Sequence, residues 1–150
     1  MRSSRVLRST LEVPLARANS ITTEAPRAQR DSITGQVIGA GIEVHRQLGP
    51  GLLESAYREC LCYELRLRGF STIRERLVPL VYKGVRVDAG YRADIIVDER
   101  VLVELKCIER LAAIHTTQVV TYLRLTGLRV GLLMNFNVAF LRDGIVRVIL

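Results

Sequence analysis

Two charged residues interrupt an apolar segment in the second half of the chain. Residues 101–107 read VLVELKC, and Lys106 is one of only two lysines among the 22 basic residues. Side chains alternate between faces along a β-strand, so Glu104 and Lys106 share a face if this segment is a strand. Asp94 stands near the start of another apolar segment, ADIIV, and a turn at residues 98–100 brings the two segments side by side. The spacing therefore predicts that two acids and a lysine converge.

Such a group is suited to holding a divalent cation and a phosphate. Carboxylates about 4 Å apart repel each other by roughly 4 kcal/mol at an effective dielectric of 20, so their charge must be compensated. Magnesium or manganese does this with oxygen ligands, and its remaining positions accept water and phosphate oxygens. Lys106 could hold the attacking water or stabilise the charge on a scissile phosphate. The spacing leaves an alternative open: an ordinary Glu104–Lys106 ion pair, with Asp94 capping a nearby turn.

Three helices are predicted around these segments. The first follows Ser32 as N-cap, carries apolar residues at helical spacing up to residue 48, and ends at the Gly49-Pro50-Gly51 stop. The second covers about residues 52–68, and the third about residues 111–125.

Strands fill the intervals between these helices. The predicted strand segments are STIRERLVPLVY and VRVDAGY, joined by a hairpin turn at Lys83-Gly84, then ADIIV, VLVELKC and VGLLMNF, and a terminal pair around Arg142-Asp143-Gly144. The order of helix, helix, strands, helix and strands predicts an α/β fold.

Composition indicates one globular domain with a basic extension. The chain has 150 residues, 49% of them apolar, and a formal net charge of +7, which favours a polyanionic partner. Residues 1–31 are rich in Arg, Ser and Thr and lack a sustained period, so we expect a disordered extension there. An oligomerisation or nucleic-acid arm, or a targeting segment, are the alternatives. The domain is then expected at residues 32–150. No apolar segment has the length of a membrane span, so we expect a soluble protein without a membrane partner.

The cysteines favour packing over metal binding. Cys60, Cys62 and Cys107 are odd in number, and their spacing lacks the CxxC-like pattern and the fourth ligand of a zinc or iron–sulfur site. We expect them to be small core residues in a reducing, cytoplasmic setting.

Several short motifs together resemble one known family. AD at 93–94 and ELK at 104–106 resemble the acid and E-x-K elements of the PD-(D/E)XK nuclease superfamily. QVVTY at 118–122 is similar to the Q-x-x-x-Y element of its RecB-like branch, and GLLESAY at 51–57 reproduces the signature of its GxxExxY family. The resemblance covers about residues 33–150. It implies a restriction-endonuclease-like core, in which helices flank a central mixed β-sheet.

The resemblance also implies roles for the metal site. Asp94 and Glu104 are expected to ligate magnesium or manganese, with the main-chain carbonyl of Leu105 as a further ligand. Glu54 resembles the glutamate of the superfamily's first helix, which helps to hold a metal or its waters. Lys106 is expected to serve the water and the phosphate. A first-turn acid favoured by the helix dipole is the structural alternative for Glu54.

Four further polar residues are candidates. Gln118 and Tyr122 lie four apart on one helical face and are expected to contact substrate phosphate or to brace the site. A polar stripe on a surface helix is their structural alternative. His45 is considered as an additional metal ligand because some RecB-like enzymes have one upstream of the acids. For His45 and His115 alike, satisfied structural roles are favoured.

The resulting functional hypothesis is a magnesium-dependent nuclease that hydrolyses phosphodiester bonds of DNA or RNA. The alternative is a nucleic-acid-binding or self-assembling protein that keeps the nuclease fold with weak or no turnover. A homodimer is expected for so small a domain, with the apolar strand IVRVIL as an edge that a second subunit covers. A basic surface is considered around four arginines: Arg66, Arg68, Arg74 and Arg76.

Overall fold

The structure is a computed structural model that describes residues 32–150. The predicted N-terminal extension, residues 1–31, lies outside the described residues. Within residues 32–150 the elements are helices α1 (Ile33–Leu48), α2 (Glu54–Leu67) and α3 (Ala113–Thr126), and strands β1 (Thr72–Leu77), β2 (Leu80–Tyr82), β3 (Val85–Val87), β4 (Arg92–Val97), β5 (Val101–Lys106), β6 (Val130–Asn135) and β7 (Ile145–Ile149).

The helices begin and end close to the predicted positions. Ser32 caps α1, because its side-chain oxygen accepts the main-chain N–H of Gly35 at 3.2 Å. α2 begins only at Glu54, so the two preceding leucines, predicted to be helical, lie in the loop before it. α3 ends at Gly127, whose φ of 74° is the left-handed conformation that favours glycine.

The turns between strands agree with the prediction, whereas one long strand segment is interrupted. Lys83 and Gly84 join β2 to β3 with φ values of 48° and 80°, as in a two-residue hairpin turn. The turn between β4 and β5 has Asp98 and Glu99 in the same region, at 48° and 51°. Residues 71–82 form two strands, because Pro79 lies between β1 and β2 and lacks the N–H that a ladder needs.

The chain end also differs from the predicted terminal strand pair. Leu141–Gly144 form a 3-10 turn, and the strand that follows, β7, pairs with β6. Asp143 and Gly144 therefore terminate a turn that leads into the sheet.

A five-stranded mixed sheet forms the centre of the domain, in the order β1-β4-β5-β6-β7. β5 and β6 are parallel, and the other neighbours are antiparallel. This arrangement confirms the predicted fold, a central mixed sheet flanked by helices. The β2–β3 hairpin forms a separate small sheet whose side chains are largely exposed.

The two faces of the sheet bury separate clusters. α1 and α2 pack on the face that carries Val103 and Leu105 of β5, and α3 packs on the face that carries Leu102. This alternation places Glu104 on the α3 face with Leu102, as predicted. Cys62 is buried in the first cluster, and Cys60 and Cys107 pack against that cluster without forming disulfides. Across residues 32–150, no helix combines the length and apolar character of a membrane span.

Candidate functional site

Asp94 lies where the ladder between β4 and β5 ends. The last paired residues are Ile95 and Val103, and continuing the same register places Asp94 opposite Glu104. Here the side chain of Asp94 replaces the main-chain partner: its Oδ2 accepts the N–H of Leu105 at 2.8 Å. Pairing between the strands stops at this position, and the Asp94 carboxylate, only 8% exposed, lies in the opening that the missing pair leaves.

The ladder on the other side of Asp94 is also interrupted. Arg74 pairs with Ile95 and Arg76 with Ala93, but Glu75, between them, does not pair with Asp94. Glu75 has a φ of 48°, and a non-glycine residue in this left-handed region typically costs about 1–2 kcal/mol. The pairing of β4 with both of its neighbours is therefore missing at Asp94.

Glu104 is a buried acid with one unsatisfied oxygen. It is 4% exposed, and its Oε1 lies 3.8 Å from the Nζ of Lys106. Its Oε2 is buried and has no hydrogen-bond partner among residues 32–150. Burial and then the charge of Asp94 raise the pKa of Glu104 from 4.5 to about 8, and Lys106 opposes this shift only in part. In the metal-free chain, Glu104 therefore resists losing its proton.

Glu54, in the first turn of α2, interacts electrostatically with this group. Burial and then the charge of Asp94 raise the pKa of Glu54, and Lys106 opposes the shift. The charge of Glu54 in turn contributes to the raised pKa of Glu104. The three predicted acids thus act on one another electrostatically, although they come from a helix and two strands.

The acids do not enclose a cation by themselves. Within residues 32–150, no three His, Cys, Asp or Glu side chains are grouped closely enough to hold a metal ion. Magnesium nevertheless usually keeps several waters and takes one or two carboxylates, so a complete protein cage is not required. The unsatisfied Oε2 of Glu104 beside Asp94 fits a hard divalent cation, because such an ion supplies the missing partner and offsets the repulsion.

The carbonyl of Leu105 faces the same opening. The N–H of Leu105 points towards β4, where it meets Asp94, whereas the carbonyl of the next residue, Lys106, points towards β6 and accepts the N–H of Phe136 at 2.8 Å. Because the N–H and C=O of one strand residue point the same way, the Leu105 carbonyl faces β4 beyond the end of the ladder.

Tyr57 fixes the loop before α2. Its side chain is fully buried and stacks on Phe136 with ring centroids 4.4 Å apart. The hydroxyl donates to the carbonyl of Gly49 and accepts the N–H of Leu52. The tyrosine of the GLLESAY motif therefore holds the segment from which Glu54 projects.

Gln118 and Tyr122 contact each other on α3. Gln118 Nε2 donates to the Tyr122 hydroxyl at 3.3 Å. Burial raises the pKa of Tyr122, and the charges of Glu104 and Asp94 contribute to the rise. Tyr122 is therefore close enough to the acids to sense their charge, which agrees with a place at the border of the same site.

The two histidines have structural partners. The Nε2 of His45 lies 2.9 Å from the carbonyl oxygen of Val138 and 3.2 Å from that of Phe136, so it donates and is not free to ligate a metal. The Nδ1 of His115 accepts the N–H of Ala112 at 2.8 Å at the start of α3. The favoured interpretation of both residues, a satisfied structural role, agrees with these contacts.

Arg58 is a site residue that sequence reasoning missed. Its Nη1 lies 3.2 Å from Asp94 Oδ1, and its Nη2 lies 3.5 Å from Glu75 Oε1. The sequence feature that could have indicated Arg58 is its position four residues after Glu54, which puts both side chains on one face of α2.

The basic surface predicted around Arg66, Arg68, Arg74 and Arg76 is partly neutralised by acidic side chains. Three of these arginines form ion pairs: Arg68 with Glu64, Arg74 with Glu59 and Arg76 with Glu99. Exposed pairs of this kind contribute little to stability, but they reduce the positive potential available to a polyanion.

The mixed sheet flanked by helices, with Asp94 and the Glu104–Lys106 segment on neighbouring strands, resembles the arrangement found in one class of nucleases. A family model of the PD-(D/E)XK nuclease superfamily matches residues 31–148. The chain belongs to this superfamily. Membership indicates a nuclease-type function on nucleic acid, and nucleases of this superfamily generally use divalent metal ions. No curated protein and no solved structure matches the chain.

Proposed function

We propose that this chain is a magnesium- or manganese-dependent nuclease of the GxxExxY family, in the RecB-like branch of the superfamily. The observation that carries the proposal is the buried, unpartnered Oε2 of Glu104 beside the carboxylate of Asp94. A chain that kept Glu104 only for stability would leave a buried acid partly unsatisfied and repelled by its neighbour, which costs free energy. A divalent cation relieves both penalties.

Asp94 and Glu104 are the proposed metal ligands, and the Leu105 carbonyl is a third oxygen facing the same opening. Glu54 approaches from α2 and is suited to holding ligated water, because it interacts electrostatically with both acids. The position of these residues at the end of the β4–β5 ladder supports the assignment. His45 is left out of the proposed ligand set because its contacts are with the main chain of Phe136 and Val138, which gives the imidazole a structural role.

Lys106 is proposed to hold the attacking water or to stabilise the charge that develops on the phosphate. Its ammonium group lies 3.8 Å from Glu104 and its side chain is mostly buried, so its charge acts in a medium that screens weakly. A bound divalent ion lowers the pKa of a ligated water and offsets negative charge on the phosphate. Gln118 and Tyr122 are proposed to contact the substrate from α3.

A cleavage assay with matched variants tests the proposal. Labelled single- and double-stranded DNA and RNA are incubated with the full chain and Mg²⁺ or Mn²⁺, beside Asp94→Asn and Lys106→Ala. Lys83→Ala and Asp88→Asn serve as controls, because both residues lie in the exposed β2–β3 region. Cleavage by the wild type and both controls, with loss in the two site variants, supports the proposal. Equal activity in all five proteins contradicts it.

A second candidate is a nucleic-acid-binding protein that keeps the fold without useful turnover. It is favoured by the Arg58–Asp94 contact, which occupies a proposed ligand, and by the absence of any three-ligand group within residues 32–150. Salt-dependent binding of nucleic acid, without cleavage and without a metal-induced rise in melting temperature, distinguishes this candidate.

We further propose a cytoplasmic homodimer, with residues 32–150 as the nuclease domain and residues 1–31 as an extension. Among the strands of residues 32–150, β7 lies at the edge of the sheet beside β6, and its Ile149 is exposed, so this edge could receive a second copy. The free cysteines of the described chain favour a reducing compartment. Light scattering tests the dimer: we expect Ile149→Lys to shift a wild-type dimer towards monomer, and a monomeric wild type contradicts the assignment.

A further inference from the structure

Arg58 is a mostly buried cation between two acids on neighbouring strands. It projects from α2, and its side chain is 14% exposed. One end of the guanidinium contacts Asp94 on β4, and the other contacts Glu75 on β1. Arg58 therefore supplies positive charge where the ladders on both sides of Asp94 are interrupted.

Arg58 contacts the oxygen of Asp94 that a metal ion would have to bind. Oδ2 of Asp94 already accepts the N–H of Leu105, and Oδ1 faces Arg58. Glu104 differs, because its Oε2 has no hydrogen-bond partner. Arg58 thus offsets the negative charge of one proposed metal ligand, Asp94. The Oε2 of the other, Glu104, has no such partner among residues 32–150. A metal ion bound by both acids has to compete with Arg58 for Asp94.

The contacts of Arg58 are weak enough for such an exchange. Charge-assisted N–H···O bonds are usually about 2.7–2.9 Å long. The contacts of Arg58 with Asp94 and Glu75 are longer, at 3.2 and 3.5 Å, and its Nε is buried without a hydrogen-bond partner. A phosphate can offer two oxygens to the planar guanidinium, whereas the contacts of Arg58 with Asp94 and Glu75 each join one Nη to one carboxylate oxygen.

We propose that Arg58 is an internal counter-ion that occupies the place of the cation at Asp94 and passes to a nucleic-acid phosphate when a divalent ion binds. This inference rests on the proposed function, because it requires Asp94 to ligate the ion. It assigns Arg58 opposite effects on two ligands: Arg58 weakens metal binding in the absence of nucleic acid and strengthens the binding of nucleic acid.

Calorimetric titration with Mn²⁺ alone tests the first effect. The wild type is compared with Arg58→Gln and with Arg46→Gln, a control that removes the same charge from an exposed pair with Glu43 on α1. We expect Arg58→Gln to bind Mn²⁺ about tenfold more tightly, and Arg46→Gln to bind like the wild type. Equal or weaker binding by a folded Arg58→Gln protein overturns the inference, because Arg58 then only positions Asp94.

The salt dependence of nucleic-acid binding tests the second effect. With Ca²⁺ in place of the catalytic ion, we expect Arg58→Gln to bind an oligonucleotide more weakly and to reduce the slope of log K against log salt by about one. An unchanged affinity and slope contradict the transfer to phosphate.

If Arg58→Gln does not fold, an NMR measurement on the wild type tests the same inference. The ¹⁵Nε–H resonance of Arg58, assigned with Arg58→Lys, is followed while Mg²⁺ is added. We expect this resonance to shift as the ion binds, and a resonance unchanged at saturation overturns the inference. Failure of the wild type to bind Mn²⁺ or Mg²⁺ at all contradicts the proposed metal site itself, so the two failures are distinguishable.

Discussion

The carboxylate of Asp94 holds the main-chain N–H of Leu105, with 2.8 Å between Oδ2 and the nitrogen. This bond stands in the position where β4 would otherwise continue its ladder with β5. The two oxygens of Asp94 therefore differ: Oδ2 accepts the backbone N–H of β5, and Oδ1 contacts Arg58 and is the oxygen proposed to bind the metal ion. Substitutions at Asp94 should therefore separate a structural effect from a functional one.

We expect Asp94→Ala to be less stable than Asp94→Asn by about 1–3 kcal/mol. Alanine leaves the buried N–H of Leu105 without a partner, whereas asparagine keeps an oxygen that can accept it. Both variants lose the carboxylate, so both should lose metal binding. Urea unfolding in EDTA measures the stability difference, and equal stability of the two variants contradicts the structural duty of Oδ2.

The metal-free chain should lose stability as the pH rises. The folded-state pKa of Glu104 is raised from 4.5 to about 8, so the folded chain binds more protons than the unfolded chain between these values. The contribution of protonated Glu104 is therefore fully present below about pH 4.5 and is lost as the pH rises through about 8. One proton gives a slope of at most about 1.4 kcal/mol per pH unit.

Denaturant unfolding in EDTA across this pH range measures the slope for the wild type and for Glu104→Gln. Glutamine resembles the protonated acid, so the variant should match the wild type at low pH and exceed its stability above pH 8. A variant that keeps the full pH dependence of the wild type shows that Glu104 is not its source.

Tyr57→Phe should destabilise the chain and weaken metal binding together. It removes the hydroxyl that joins Gly49 and Leu52, at a cost of about 1–3 kcal/mol for the buried groups left without partners. The loop before α2 then loosens, and with it the position of Glu54. Tyr63→Phe is the control, because Tyr63 is exposed on the same helix. Thermal melts with and without Mn²⁺ measure both effects, and equal behaviour of the two variants contradicts this role.

Gln118→Ala should weaken substrate binding and leave metal binding unchanged. Gln118 donates to the Tyr122 hydroxyl on α3, so its loss removes about one hydrogen bond to a phosphate or to Tyr122. We expect an affinity for oligonucleotides about 3- to 10-fold lower. Fluorescence anisotropy measures this affinity, and a parallel loss of Mn²⁺ binding would indicate that Gln118 braces the metal ligands instead.

Much of the geometry of the candidate site could be predicted from the sequence, because the signals for it are local. The period of two in VLVELK put Glu104 and Lys106 on one face, and the turn after β4 brought Asp94 alongside. The position of Arg58 against Asp94 and Glu75 could not be obtained in the same way, since it depends on how α2 packs across two strands. The left-handed φ of Glu75 also has no local signal, because glutamate disfavours that conformation.

The predicted boundaries of the strands differ from the observed ones for another reason. Residues 71–82 carry β-forming residues on both sides of Pro79, so their composition favours one long strand, whereas the missing N–H divides it. Similarly, Asp143-Gly144 indicated a turn correctly, but the partner of β7 is β6, which only the tertiary arrangement decides.

Diffraction from crystals soaked in Mn²⁺ tests the central claim most directly. We expect an anomalous peak in the opening between β4 and β5, within coordinating distance of Glu104 Oε2 and Asp94 Oδ1, with the Arg58 guanidinium displaced from Asp94. A folded chain in which Mn²⁺ is absent from this opening, or binds elsewhere while Arg58 remains on Asp94, would contradict it.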